Sequence, residues 1–398
     1  MKSDLFVKFQ NFRSQLNNAH LERTVVIDGL LACIIAKQNS FLLGLPGTGK
    51  SDLVRSICSG FLDAKYFSYL LSPTTDPSEL FGPVAVSKLL KDEYTRDTEG
   101  YLPASHIVFL DELFRGSSAI LNSLLPLLNE RTFNNGKAKV DTPIKSIIAA
   151  TNTWPDEESL QAFGDRFLFR PTVEKLQKPT SQSRLDKWAL DLIKRPEVEC
   201  RLNLQDLENL QVEAQNMPVA DDFLDKYTHV WSLLKEEGIE VSDRRRVQIL
   251  KFMQAWALVQ GDDKVYPDHL PQPLPHIVYK TDEDQDTIKE VLRQAIPSGD
   301  TLLKDAQKAY DNLVKTFVGI EKRLKAYNNT SVEILNESVV QLKRTHERAT
   351  QMESHLERYL TGSDFRITAT IRAKITSLMQ NINTFKDSIA NTLQSLGA

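Results

Sequence analysis

The stretch FLLGLPGTGKSDLV, residues 41–54, decides how the rest of the chain is read. From Gly44 to Ser51 it fits the pattern G-x-x-x-x-G-K-[ST] in full. Glycines in that pattern let backbone N–H groups curl around a β-phosphate, and the helix that follows aims its positive end at the same group. Gly47, Thr48, Gly49, Lys50 and Ser51 are therefore the candidate phosphate-binding residues. Lys50 is placed to reach the β- and γ-phosphates, and the Ser51 hydroxyl to ligate Mg²⁺. The plain alternative is a chance glycine-rich turn. An apolar run before the motif and a helix-forming run after it argue against that.

Two further apolar runs end in chemistry. HIVFLDEL, from His106, is strand-like and closes on Asp111 and Glu112. Behind a phosphate loop, Asp111 is placed to hold the magnesium shell and Glu112 to polarise an attacking water; taken alone, such a pair is usually a helix cap. IKSIIAATN, from Ile144, ends at Asn152, whose amide could position that water, although asparagine at a strand end is also a routine turn residue. Arg166 follows in FGDRF, where an arginine is either solvated or a finger inserted into a neighbour's site. Arg244, Arg245 and Arg246 open a helix in VSDRRRVQIL. Adjacent helical residues cannot all face one way, so at most one or two of them touch nucleotide.

Short buried strands alternating with helices indicate a parallel sheet covered on both faces. A helix from about Leu21 to Ala36 feeds the first strand, and Asn135-Gly136 between two short alternating segments marks a β-hairpin. Beyond Pro171 the strands fade, and a small helical domain is expected from about Pro218 to Asp262. The connector YPDHLPQPLPH, with Pro267, Pro271, Pro273 and Pro275, is expected to run extended. Further on, Leu303, Ala306, Tyr310, Leu313, Phe317, Ile320, Leu324 and Tyr327 recur at spacings of three and four. NNTS from Asn328 breaks that helix; a second runs from about Val332 to Leu360, ending at TGSD. A third carries Ile371, Ile375, Leu378, Ile382, Phe385, Ile389, Leu393 and Leu396. Three such helices with short turns predict an antiparallel bundle roughly 40 Å long. Its apolar stripes are first of all its own core; a docking face for a partner is the second reading.

The 398 residues carry a formal net charge of -4 and are 41% hydrophobic and 26% charged, and the pI is near 6.0. That balance does not suit a protein whose main task is neutralising phosphate backbones. The three cysteines, Cys33, Cys58 and Cys200, are far apart and form no CxxC, which excludes the common zinc spacings and suits a reducing compartment. The amino terminus lacks the pattern of a secretory signal, and GLLACIIA from Gly29 is too short to span a bilayer. A cytoplasmic protein is expected.

The phosphate loop, the Asp-Glu strand end, the Asn strand end, D-R-F and S-D-R, in this order, resemble an AAA+ ATPase. HLERTVVIDGLLACIIAKQNSFLLGLPGTGKS, PSELFGPV, GYLPASHIVFLDELFRGSSAILNSLLPLLNERTFNNG and AATN resemble the MoxR family, and within it the RavA branch. The similarity is close from about His20 to Arg170 and looser through the S-D-R helix. The resemblance implies roles by position. Lys50 and Ser51 match Walker A, Asp111 and Glu112 Walker B, Asn152 sensor 1, Arg166 the arginine finger, and Arg244 the sensor 2 arginine, with Arg245 the second candidate. ATP and Mg²⁺ are the implied cofactors. PTTDPSELFGPVAVSKLL matches the helix-2 insert and NERTFNNGKAKV the pre-sensor-1 hairpin, both of which usually face a central pore.

The implied fold class is α/β. It comprises an AAA+ P-loop αβα core over residues 1–175, a helical linker over 176–217, a small all-α lid over 218–280 and the C-terminal three-helix bundle over 281–398. Family members are typically hexamers with ATP between protomers, which gives a finger supplied in trans its physical logic. They commonly act as chaperone-like remodellers beside a partner with a von Willebrand factor A domain. One departure stands out: the RavA pattern interrupts its C-terminal helices with a β-rich insertion that binds a lysine decarboxylase, and these helices leave no room for it. Two other classes compete: a nucleic-acid-directed helix-2-insert motor of restriction type, and a scaffold that ATP only locks. Net acidity, and Lys88 and Lys91 standing beside Asp92 and Glu93, weigh against the first. Glu112 and Arg166 weigh against the second.

Overall fold

Two helices precede the phosphate loop, α1 (Asp4–Ala19) and α2 (Thr24–Ile35), in a computed structural model that describes residues 4–152, 154, 157, 160, 163–279, 282–296, 299–326, 332–361 and 369–396. α1 turns Phe6, Phe9, Phe12 and Leu16 inward, the one-face spacing of an amphipathic helix. α2 is buried from Val26 to Ile35, as a helix enclosed by others must be. Asp28, a carboxylate inside that helix, is held by the Arg13 guanidinium in a two-pronged ion pair of 2.6 and 2.7 Å.

There follow β1 (Ser40–Leu43), α3 (Lys50–Ser59), β2 (Phe61–Leu62), β3 (Tyr66–Leu70), α4 (Pro77–Phe81), α5 (Val86–Leu89) and β4 (Ile107–Asp111). Next come α6 (Ser118–Asn129), the pair β5 (Thr132–Asn135) and β6 (Ala138–Asp141), and β7 (Ser146–Thr151). The main sheet has the order β1-β7-β4-β3, with every neighbouring pair parallel. Parallel strands covered on both faces must be apolar on both, and β4 and β7 are. Phe109 and Ile148 point into one cluster of buried side chains, and Val108, Leu110, Ile147 and Ala149 into another. Because the strands are parallel, the residues after them, including Gly44, Glu112 and Asn152, gather at one edge of the sheet. Asn39 and Ile144, which precede strands, lie at the opposite edge.

The sheet also contains a strand that the sequence reading did not separate, β3, at its outer edge. On its far side β1 bonds to residues 169–173, with Phe41 N–H donating to Phe169 O at 2.8 Å and Leu43 N–H to Pro171 O at 3.0 Å. The hairpin stands where Asn135-Gly136 placed it, with Asn135 opposite Ala138. It is joined to the segment after α5: Asn135 Oδ1 accepts from the Arg96 backbone N–H at 2.6 Å, and its Nδ2 donates to Arg96 O at 3.0 Å.

The helical part comprises α7 (Pro179–Ala189), α8 (Leu204–Gln215) after the short strand β8 (Leu202–Asn203), α9 (Phe223–Glu236), α10 (Asp243–Gln260) and α11 (Asp282–Ala295). α8 opens with a reciprocal cap between Asn203 and Asp206, and α10 with the Ser242 side chain accepting from Arg245 N–H. Buried residues of α1, α2, one face of the sheet and α8 to α11 form one cluster. Two expectations are corrected here. The proline-rich connector is not extended: it folds into turns at Pro267–His269 and Leu274–His276, because Leu270 and Leu274 between its prolines, and Ile277 just after them, are buried. And α11, expected in the bundle from residue 281 on, packs Ile288, Val291 and Leu292 into the same cluster as α9.

The bundle has its own core. α12 (Gly299–Ala326), α13 (Val332–Thr361) and α14 (Ala369–Ser395) bury Phe317, Ile320, Leu342, Leu356, Ile375 and Ile382 against one another. Phe385 meets Tyr310 and Phe317 edge-on, with centroids 5.7 and 5.5 Å away. Tyr327, the NNTS break and residues 362–364 lie outside the described residues. Among the described residues no helix is long and apolar enough to cross a membrane.

Candidate active site

The phosphate loop joins the end of β1 to the start of α3. Gly47 and Gly49 have φ of +78° and +83°, a backbone region that side chains other than glycine seldom adopt. Arg23, at the start of α2, ties the loop down from behind: its Nη2 donates to Glu174 O at 2.5 Å and to Thr48 O at 3.4 Å. The sequence reading missed this residue, since the resemblance covers it but nothing in the chain ties residue 23 to residues 48 and 174.

At the same edge the strand ends bring five predicted side chains together. Ser51 Oγ donates to Asp111 Oδ2 at 2.9 Å. Lys50 is buried, and its Nζ donates to Gly44 O at 2.5 Å, Leu45 O at 3.1 Å and Asn152 Oδ1 at 3.1 Å. Asn152 Nδ2 donates in turn to Glu112 Oε1 at 2.5 Å. Burial lowers the pKa of the Lys50 ammonium, and the negative charges of Asp111 and Glu112 oppose that. Glu112 stands at φ +52°, ψ +45°, which turns its carboxylate off the strand line just past Asp111. Ser51 and Asp111 offer a hydroxyl and a carboxylate, a hard oxygen pair that suits Mg²⁺ with phosphate and water completing the shell. Among the described residues no group of three or more His, Cys, Asp or Glu could hold a metal by itself.

Arg166 and Arg244 are not part of this group. They line one cavity of about 370 Å³ with Lys37, Gln38, Asn39 and Ile144, the residues leading into β1 and β7. That is the opposite edge of the sheet, and the four residues of β1 put ~13 Å of strand between the two places. The Arg166 carbonyl is fixed there by Asn39 Nδ2 at 3.3 Å, and Arg244 Nη2 donates to Asn129 Oδ1 at 3.3 Å. Neither arginine meets Glu112 or Asn152 of its own protomer, which for Arg166 is the placement that a finger directed at a neighbour's site requires.

Arg245 has a different task. It is buried, and its guanidinium donates to the carbonyls of Asp165 (2.9 Å), Phe167 (3.3 Å), Leu168 (3.2 Å) and Ile277 (2.6 Å). Burial, with repulsion from Arg170 adding to it, pushes its pKa down to about 9. It clamps the backbone on both sides of Arg166. Arg246 stacks over Trp231 at 5.9 Å, so the three arginines point to three surroundings.

A second cavity, of about 640 Å³, opens beside the phosphate loop. Gly47, Thr48 and Gly49 line it together with His20, Leu185 and Trp188. Arg195 closes its wall by donating to Asp52 Oδ2 at 2.8 Å and to Ala19 O at 3.2 Å.

A parallel sheet with a phosphate loop, an acidic pair and an asparagine along one edge, and a helical lid behind it, defines an AAA+ ATPase fold. A solved structure of a candidate ATPase from Cytophaga hutchinsonii superposes with a TM-score of 0.57 at 17% identity, over 73% of this chain and 94% of that one. Residues 7–212 match the family described as the MoxR domain of MoxR-vWA-beta-propeller ternary systems, and residues 222–292 match the AAA lid domain. The chain belongs to the MoxR family. It is similar to two uncharacterised proteins of Methanocaldococcus jannaschii. With MJ0812 it shares 36% identity over 64% of this chain and 67% of that one, and with MJ0079 35% over 65% and 67%.

Proposed function

We propose that this protein is a Mg-dependent ATP hydrolase working as a homo-oligomeric ring, a hexamer by family likeness. In this reading each ATP lies between two copies, and hydrolysis remodels a protein client in the cytoplasm. One observation carries it: Arg166 and Arg244 sit together at the sheet edge opposite Lys50, Ser51, Asp111, Glu112 and Asn152. Arginines at that distance serve a γ-phosphate only if the phosphate belongs to a neighbouring copy, which is the logic of a finger supplied in trans.

Lys50 and the loop N–H groups bind the phosphates, and Ser51 and Asp111 hold the Mg²⁺, which when bound neutralises phosphate charge. Glu112 takes the proton of the attacking water, and Asn152 holds that carboxylate and the water in line. Arg166 and Arg244 of the next copy meet the charge that develops on the leaving phosphates. Arg245 keeps Arg166 in place by fixing the backbone around it. The name of the matched family, with its vWA and β-propeller components, supports a von Willebrand factor A domain partner.

The test is complementation. Glu112→Gln and Arg166→Ala proteins are each inactive alone, and mixing them restores part of the turnover because mixed interfaces pair an intact Glu112 with an intact Arg166. Mixtures as inactive as their components would remove the shared site.

A further inference from the structure

One indole touches the surroundings of both Asn152 and Arg166. Trp154 lies two residues beyond Asn152 and is half-buried in the cluster on one face of the sheet. Its ring meets Phe114 edge-on with centroids 5.9 Å apart, and Phe114 lies two residues beyond Glu112. It meets Phe41 of β1 in the same way at 5.5 Å.

The same ring is touched from both flanks of Arg166 in the chain. Gly164, two residues before the arginine, comes so close that a Cβ there would stand 2.5 Å from Trp154 Cη2 and 2.8 Å from Cζ2. Residues 163–167 form one tight turn, with Arg166 N–H donating to Phe163 O at 3.1 Å and Phe167 N–H to Gly164 O at 3.0 Å. Four residues after Arg166, the Arg170 guanidinium lies over the indole at 5.3 Å. Arg170 is buried and anchored to the lid: its backbone N–H donates to His276 O at 2.7 Å, and its Nη2 to the carbonyls of Ile277 and Tyr279. The turn that carries Arg166 thus packs on a ring whose own backbone leaves the sheet at Asn152. Close-packed contacts of this kind transmit displacement, because no void absorbs it.

We propose that Trp154 is a positioning residue that ties the place of Arg166 to that of Asn152 and Glu112 in the same copy, so that a copy's own nucleotide site governs the arginine it lends to the next. This rests on the shared site proposed above and adds the residue that couples one site to its neighbour. Lys50 Nζ is bonded to Asn152 Oδ1, and a bound phosphate competes for that ammonium. The change at Asn152 then reaches the arginine turn through the indole. A shift of ~1 Å in the arginine is enough to alter the rate about 100-fold.

Mixtures of full-length proteins test it. When Glu112→Gln and Arg166→Ala proteins are mixed, turnover comes from interfaces where the first lends the arginine and the second supplies the base. Trp154→Phe placed in the Glu112→Gln protein, whose own site is inactive, is expected to lower the restored kcat about tenfold. The Kd of that protein for ATP stays within about twofold, which also shows that it folds. Gly164→Ala in the same protein disturbs the contact from the other side and has the same effect. Combined with Trp154→Phe, which lacks Cη2 and Cζ2, it lowers turnover no further than either change alone. In otherwise unaltered protein, hydrolysis is expected to rise with ATP with a Hill coefficient of about 2, which Trp154→Phe brings to about 1, a change that a merely structural role does not make. Restored turnover unmoved by Trp154→Phe, losses that multiply in the double variant, or a wild-type Hill coefficient of about 1 would each overturn the coupling and leave the shared site standing. If the Glu112→Gln and Arg166→Ala proteins restore nothing together, the shared site falls and the coupling with it.

Discussion

Lys50 and Glu112 are joined through one side chain: the Asn152 amide accepts from the lysine ammonium at 3.1 Å and donates to the glutamate carboxylate at 2.5 Å. The residue proposed to reach for phosphate and the residue proposed to handle the water thus share one hydrogen-bond partner. Asn152→Ala is expected to lower kcat about 10–100-fold, by loosening the base, while changing the Kd for ATP less than about threefold. Steady-state turnover and equilibrium binding on the same preparation separate the two effects.

Ser51 and Asp111 are already in contact at 2.9 Å, so the hard-oxygen pair is assembled by the fold. Ser51→Ala should raise the Mg²⁺ concentration for half-maximal turnover by about tenfold or more. Its melting temperature should stay that of the wild type. A Mg²⁺ titration of ATP hydrolysis reads the first and thermal unfolding the second.

Arg244 and Arg245 are neighbours in sequence with opposite consequences. Arg245→Ala leaves the carbonyls of Asp165, Phe167, Leu168 and Ile277 without their common donor and should destabilise the fold by on the order of 3 kcal/mol. Arg244→Ala removes an exposed guanidinium, so it should leave the melting temperature alone and abolish turnover in assembled protein. Thermal melts beside hydrolysis assays distinguish them.

His276 is pressed among apolar neighbours, with its ring edge-on to Phe169 at 5.9 Å. Burial, with Lys289 adding to it, lowers its pKa from 6.5 to about 4. The folded state therefore prefers the neutral ring. The stability this gives is complete above about pH 6.5 and is lost as the pH falls toward 4. For His276 alone the loss is on the order of 3 kcal/mol. His20 titrates in the same window. His276→Phe should flatten the fall in denaturant midpoint between pH 7 and 4.5; an unchanged slope would acquit this ring.

Much of the site could be read in the chain because its parts are contiguous. Gly44 to Ser51 is one run, and Asp111, Glu112 and Asn152 each end an apolar stretch, so a parallel sheet alone brings them to one edge. The ion pair of Arg195 with Asp52 beside the phosphate loop spans a separation that no local pattern encodes. Neither can spacing show which of two adjacent arginines turns inward, since that depends on carbonyls contributed by residues 165–168 and 277. β3 was missed because its side chains, YFSYL, alternate only between exposed and half-buried, so no apolar run marks it. The connector was misread for the opposite reason: its prolines drew attention from Leu270, Leu274 and Ile277, whose burial bends the backbone.

The double hydrogen bond between Asn135 and Arg96 makes a single lever of two insertions. The hairpin grows from the end of α6, whose other end lies a few residues beyond Glu112, while the segment after α5 would otherwise hang from the sheet by its own loops. Joined, they cannot swing separately. Leu89, Leu90 and Tyr94 are exposed on the segment that the hairpin holds. Whatever binds or displaces one insertion therefore acts on the other, and the two present one surface rather than two.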